Sequence, residues 1–366
     1  MVLRFCGPGD IMNAKQKTIG ERKINMHSKP KKKRRGWLIA LLILLILFLL
    51  LAGAAALFLN SKLSLIDYSD GSIESPASPE DAGEEDIGVD LSGLEIKEPS
   101  ALPQGEADPH EDVLNVLILG TDEHTEEFSS ARADSIILLS LNLKEHTARL
   151  VSLERGMGVP ILEGEYEGEY DWLTHCFRYG GASLMLKEVQ TCFNVDVEHY
   201  VRVNFTSVEN IVDLLGGIDV ELTGAEAGYL NSGGYGLSAG MNHLDGKAAL
   251  AYARLRAIDS DWTRVKRQRT VIQACMDSIK NADVKTLNAL CDAILPYVQT
   301  NFTKLEILQL MAQLPNFLGV QFEQMTIPAE GTYGGMIGLQ GRGLFAVDFE
   351  TNSKILSDFL YGESEN

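Results

Sequence analysis

The chain has 366 residues, of which 45% are hydrophobic and 23% charged, and a formal net charge of −19. Its length allows one large hydrophobic core, and the absence of any CxxC pair or His-rich spacing excludes a zinc framework. The net charge says little about the ligand of the folded part, because much of the acid is concentrated between Ser61 and Asp112.

The first 36 residues are basic and patternless and are assigned no fold. Residues 37–59, from Trp37 to Leu59, carry no charge and are long enough to cross roughly 30 Å of hydrocarbon at about 1.5 Å per residue. Lys31, Lys32, Lys33, Arg34 and Arg35 precede this run, so the positive-inside rule places the N-terminus in the cytoplasm and everything after Asn60 outside. The competing reading is a cleaved signal peptide, and the length of the apolar run favours an uncleaved anchor. Residues 60–112 are rich in Asp, Glu, Ser, Gly and Pro and read as a flexible acidic spacer. Residues 113–366 suit one outer domain.

Within that domain Val113–Leu119 and Ser135–Leu143 read as buried strands, and Thr147–Leu153 as a third that forms a hairpin with the second. Helices follow at about Ala182–Cys192 and Phe205–Leu215, then a short strand at Gly217–Leu222. The pattern continues with a helix at Leu244–Leu250, a strand at Leu250–Arg256, and helices at Trp262–Ile279, Val284–Val298 and Lys304–Leu314. This interleaving predicts an α/β fold, layered α-β-α, with a central mixed sheet flanked by helices. Four cysteines fall in the outer domain. Cys275 and Cys291 lie on consecutive helices and can bridge a helical hairpin, Cys176 and Cys192 are a less favourable pair, and free buried thiols are the third alternative. His175, His199 and His243 read as structural residues.

The stretch from Tyr252 to Gln268 gathers Arg254, Arg256, Arg264, Lys266 and Arg267 inside an acidic protein. On the expected strand Arg254 and Arg256 leave the same face, and on the following helix Arg264 and Gln268 lie one turn apart. Together they would cup a diphosphate, whose oxygens match the guanidinium fork; the alternative is a solvated face paired with Asp259 and Asp261. Asp122 and Asp134 sit at facing strand ends, where two carboxylates can converge on one hard, magnesium-sized cation or serve only as turn residues. Arg132 and Arg155 fall near the same edge.

The segments VLNVLILGTD, RADSIILLSLN, LTHCFRYGG, HYVRVNF, LLGGIDVELT, HLDGKAALAYARLR and DWTRVKRQRTVI, in this order, resemble the LytR-CpsA-Psr proteins, whose outer domain is also labelled cell-envelope-related transcriptional attenuator. The resemblance implies a membrane-anchored phosphotransferase. Such an enzyme moves a glycopolymer, teichoic acid among them, from a polyprenyl (undecaprenyl) pyrophosphate carrier to a muramic acid hydroxyl of peptidoglycan. It further implies Mg2+ held by Asp122 and Asp134, and a diphosphate gripped by Arg132, Arg155, Arg254, Arg256, Arg264 and Gln268, with Arg155 and Asp134 as the catalytic pair. A polyprenyl tail needs an apolar tunnel, and the helices containing ASLMLKEV and VENIVDLL are candidates to line one or to form ordinary core.

The sequence departs from the family pattern at Gly156, where an Asp is usual, at Trp172, where a Lys is usual, and at His124, where an Arg is usual. Glu154, Asp171, Asp259 and Asp261 are candidate substitutes for the missing acid. A hydrolase acting on the same carrier, or a non-enzymatic lipid-pyrophosphate binder, are the alternative functions. With the arginine cluster outside a single-pass cell membrane, nucleic acid is not an expected partner.

Overall fold

A computed structural model describes residues 57–73, 76, 89–105, 107, 109–121, 132–259 and 261–362. The basic tail, residues 37–56 of the expected span, Asp122 and His124 lie outside the described residues. Among the described residues no helix is long and apolar enough to cross a membrane.

After a helical segment at 57–63, the chain order is β1 (Asp67–Tyr68), β2 (Val113–Thr121), β3 (Ala133–Asn142), β4 (Thr147–Leu153), β5 (Met157–Pro160), β6 (Tyr170–Trp172), α1 (Leu173–Phe193), β7 (His199–Asn204), α2 (Phe205–Leu214), β8 (Ile218–Leu222), α3 (Gly224–Ser232) and β9 (Gly240–Leu244). It continues with α4 (Gly246–Arg254), α5 (Asp261–Ile279), α6 (Val284–Ile294), β10 (Gln299–Thr300), α7 (Lys304–Phe317), β11 (Glu323–Ile327), β12 (Tyr333–Ile337), β13 (Gly343–Val347) and α8 (Phe349–Tyr361). The central sheet is mixed and seven-stranded, ordered β1-β10-β7-β2-β3-β4-β11; β12-β13-β5-β6 form a smaller sheet and β8-β9 a hairpin.

Alternation along β4 explains the layers. Val151 and Leu153 point into the main core with Met185, Val189 and Phe193 of α1 and Phe349 and Leu356 of α8. Ser152, on the other face, meets Arg269 of α5. Helices therefore cover both faces of the sheet, as the interleaved pattern predicts. A second core, built from Val212, Ile218, Val220, Leu244, Ala249 and Tyr252, joins the β8-β9 hairpin to α2 and α4.

Two expectations are corrected. Residues 250–254 form the end of helix α4, not a strand: Asp245 caps the helix by accepting the Ala248 N–H at 2.8 Å, and Ala248, Ala249, Tyr252 and Ala253 are buried at helical spacing. The small residues of this Ala-rich run give weak alternation that a strand reading overvalued. The stretch expected as spacer also contributes to the folded body. Strand β1 pairs in parallel with β10, Leu63 and Ile66 are buried, and Leu91, Leu94 and Ile96 pack against Gly335, with Leu91 also beside Gly343. Its acidic average conceals these short apolar anchors. The four cysteines of the outer domain are free thiols, and burial pushes those of Cys176 and Cys192 upward.

Helix α1 kinks at Gly181, whose φ of 67° and ψ of −158° suit glycine almost alone. A Cβ there would stand 2.2 Å from the Gly71 carbonyl oxygen, so the early chain and α1 interlock. Gly181→Ala is expected to lower stability by at least the roughly 1–3 kcal/mol of backbone strain, seen in a thermal melt as a lower Tm with the far-ultraviolet spectrum retained.

Candidate active site

The register of the β3-β4 ladder builds the centre of the site. Ile137 lies opposite Ser152, so three residues further along the antiparallel pair Asp134 comes opposite Arg155, just past the end of β4. Arg155 Nη1 donates to Asp134 Oδ1 at 2.5 Å, and both side chains are largely buried. Burial opposes the charge on Asp134, but Arg155, then Arg264 and Arg132, outweigh it and hold the carboxyl below its ordinary range. The first turn of α1 braces the pair: Thr174 Oγ1 donates to the Ala133 carbonyl at 2.8 Å and its N–H to the Arg155 carbonyl at 3.2 Å.

Helix α5 supplies the third side. Arg264 and Gln268 are 5% and 8% exposed and one turn apart, as expected. Gln268 Oε1 is buried with no hydrogen-bond partner among the described residues. An orphaned buried amide costs about 1–3 kcal/mol, and turning the amide over presents its NH2 instead, so this position suits a polar ligand. The structure thus brings Arg132, Arg155, Arg264 and Asp134 together. Arg254 and Arg256 stand exposed at the end of α4 and just beyond it, where they share no strand face.

Arg267 of the cationic stretch and Arg269, just beyond its end, serve the fold. Arg267 donates to Glu226 at 2.6 Å, to the Leu255 carbonyl at 2.7 Å and to Asp259. Arg269 binds Ser152, Gln324 and Thr326, fixing α5 to β4 and β11. Sequence reasoning missed two other buried arginines. Arg202 on β7 donates to Thr121 Oγ1 at 3.2 Å and to Gln299 Oε1 at 3.4 Å, and burial lowers it to about 10. Arg178 is buried one turn after Thr174 on α1, a spacing visible in LTHCFR that would have marked it.

The departures have physical explanations. A Cβ on Gly156 would meet Val89 Cγ2 at 2.6 Å, so an apolar side chain fills the space a carboxylate would need. Trp172 Nε1 donates to the Gly343 carbonyl at 2.7 Å, and its ring lies under Arg342. Of the substitute acids, Asp171 is engaged by His175 Nδ1 at 2.9 Å, Tyr179 Oη at 2.5 Å and Arg342 Nη1 at 3.1 Å, and Asp259 by Arg267. Glu154 is fully buried next to Arg155.

A mixed α/β domain with buried arginines gathered on one ionised carboxylate defines an anion-binding site. Residues 90–355 match the LytR_cpsA_psr family, and the chain belongs to it. It is 31% identical over 230 residues, 60% of this chain and 70% of the relative, to the polyisoprenyl-teichoic acid–peptidoglycan teichoic acid transferase TagT of Bacillus subtilis. It is 34% identical over 197 residues, 52% of this chain and 61% of the relative, to the transferase TagU of Bacillus licheniformis. Among solved structures, TagT bound to LIIa-WTA superimposes with a TM-score of 0.55 at 28% identity, covering 70% of this chain and 94% of that one. TagT (YwtF) with bound octaprenyl pyrophosphate lipid does so with a TM-score of 0.50 at 26% identity, covering 73% and 98%.

Because the folded-state pKa of Asp134 is depressed, its ionised form contributes stability above the unfolded value of about 3.9, and that contribution is lost as pH falls through the folded value. The stability difference between the wild type and Asp134→Asn, measured by urea unfolding, is expected to stay level from neutral pH to about 4 and to shrink in more acid solution.

Proposed function

We propose that this protein is a membrane-anchored, Mg2+-dependent phosphotransferase that moves a glycopolymer of the teichoic acid class from a polyprenyl pyrophosphate carrier, undecaprenyl in length, to peptidoglycan. The observation that carries the reading is the gathering of Arg155, Arg264 and Arg132 on Asp134, with the orphaned Gln268 amide beside them on α5. The names of the relatives and the lipid pyrophosphate bound to TagT support it.

In the proposed reaction a muramic acid hydroxyl oxygen forms a bond to the glycan-bearing phosphorus. The bond from that phosphorus to the bridging oxygen breaks, the electron pair stays with the departing polyprenyl phosphate, and the hydroxyl proton is released. Such a transfer needs alignment and charge neutralisation more than covalent help. Arg155 and Arg264 grip non-bridging oxygens, held rigidly by α1 and by the Arg269 clamp on α5. Arg132 adds charge, and Arg254 and Arg256 line the exposed approach. Mg2+ is commonly held by one or two carboxylates together with substrate phosphates, and Asp134 at the site offers one such carboxylate. Asp134, with Asp122, would hold it, and it would neutralise charge developing on the diphosphate. For the apolar tail, α6 and α7 offer side chains such as Leu287 and Met311 that the domain leaves uncovered, and each helix has a single buried residue, Leu290 and Phe317.

The occupied space at Gly156 favours one second reading, a non-enzymatic binder of lipid pyrophosphate. Incubation with a lipid-pyrophosphate-linked oligosaccharide, peptidoglycan fragments and Mg2+, followed by mass spectrometry, separates the readings. A phosphodiester-linked conjugate supports the transferase, free saccharide phosphate indicates hydrolysis, and bound but unchanged lipid indicates the binder. Arg155→Ala and Arg264→Ala are each expected to lower transfer by about 10²–10³-fold; transfer at wild-type rates in both would sink the phosphate-grip assignment. Gly156→Asp alone is expected to destabilise the domain without raising transfer, and Gly156→Asp with Val89→Ala to recover the lost Tm.

A further inference from the structure

We infer that the domain sits directly on the outer leaflet of the bilayer, through an apolar collar of Leu57, Phe58, Leu65 and Tyr297 at the sheet end that carries the arginine site. This deepens the proposed function and rests on the reading of residues 37–59 as a membrane anchor. The apolar run ends at Leu59, and the helical segment that carries its last residues ends at residue 63, only about 6 Å further on. Asp67 on β1 then aligns with Gln299 on β10, Gln299 with Arg202 on β7, and Arg202 with Leu119 on β2.

Polarity decides which end of the sheet meets the membrane. Strands β1 and β10 run antiparallel to β7, and β7 runs parallel to β2. The beginnings of β1 and β10 therefore lie at the same end as Thr121 and Asn204, where β3 begins and Asp134 stands. From β1 to β3 is four strand spacings, roughly 19 Å.

Leu65 lies just before β1 and Tyr297 just before β10, joined at this end by the Asp67 N–H, which donates to the Val298 carbonyl at 3.0 Å. Leu57, Phe58, Leu65 and Tyr297 are 73%, 53%, 38% and 49% exposed. Exposed apolar residues scattered singly mean nothing, but Leu57 and Phe58 continue the apolar run, Leu65 follows it just before β1, and Tyr297 precedes the strand paired with β1; Tyr also suits the headgroup level. The stem is pinned, not slack: Lys62 Nζ pairs with Asp292 at 2.5 Å, Tyr68 Oη donates to the Leu63 carbonyl at 2.9 Å, and Gly71 interlocks with Gly181. Seated this way, the domain holds its arginines at the level of a carrier's diphosphate.

The test is tryptophan quenching in the full-length protein, reconstituted in phosphatidylglycerol–phosphatidylcholine vesicles with doxyl-labelled acyl chains. Comparison with Trp37→Phe reports whether the span is inserted. Tyr297→Trp is expected to add a lipid-quenched component, whereas Glu145→Trp, in the β3-β4 turn at the opposite end of the sheet, is not. Insertion of Trp37 with no quenching at Tyr297→Trp overturns the collar while leaving the anchor intact, and no quenching of Trp37 overturns both. As a second measurement, Leu65→Glu with Tyr297→Glu is expected to slow transfer from a vesicle-embedded donor several-fold and to leave transfer from a short, water-soluble polyprenyl donor unchanged. Equal loss on both donors, or loss on neither, counts against the collar.

Discussion

One contact organises the site: a guanidinium laid across the end of a β-hairpin onto a buried carboxylate. Arg155 and Asp134 face each other because the β3-β4 register runs on past the last ladder bond. A buried ion pair is costly to form and more costly to break, so the surrounding elements are arranged to keep this one intact. The start of α1 ties down the backbone of both strands, and α5 brings Arg264 in from the other face of the sheet. Three guanidinium groups then act on one carboxylate, and that excess of positive charge makes this end of the sheet an anion-attracting site.

The sequence made the ladder legible and the sorting of its arginines much less so. Strands β2, β3 and β4 are long apolar runs ended by turn residues, so their limits and the hairpin were readable from composition and alternation. Arg264 and Gln268 were placed correctly because one helical turn is a local property. Arg267, between them, and Arg269, next after Gln268, are indistinguishable from Arg264 by charge. Only their partners, Glu226 about forty residues upstream and Gln324 about fifty-five downstream, show that they hold the helix in place. Arg202 was hidden for the same reason, since its neighbours Thr121 and Gln299 are distant in sequence.

The two misread segments failed in different ways. In Gly246–Arg254 the alanines satisfy both periods, and a single cap at Asp245 decides for the helix. In residues 60–112 the acidic average outweighed a few apolar residues that matter individually, because glycines on the sheet opposite leave grooves for them. Asp122 and His124 belong to the loop outside the described residues.

Val89 inside the space beside Gly156 also bears on how this branch of the family can evolve. An acid at position 156 is sterically blocked until position 89 becomes smaller, and a smaller residue at 89 leaves a void until something fills it. Each single step is unfavourable in the background of the other, so the two positions form an epistatic pair across about seventy residues of sequence.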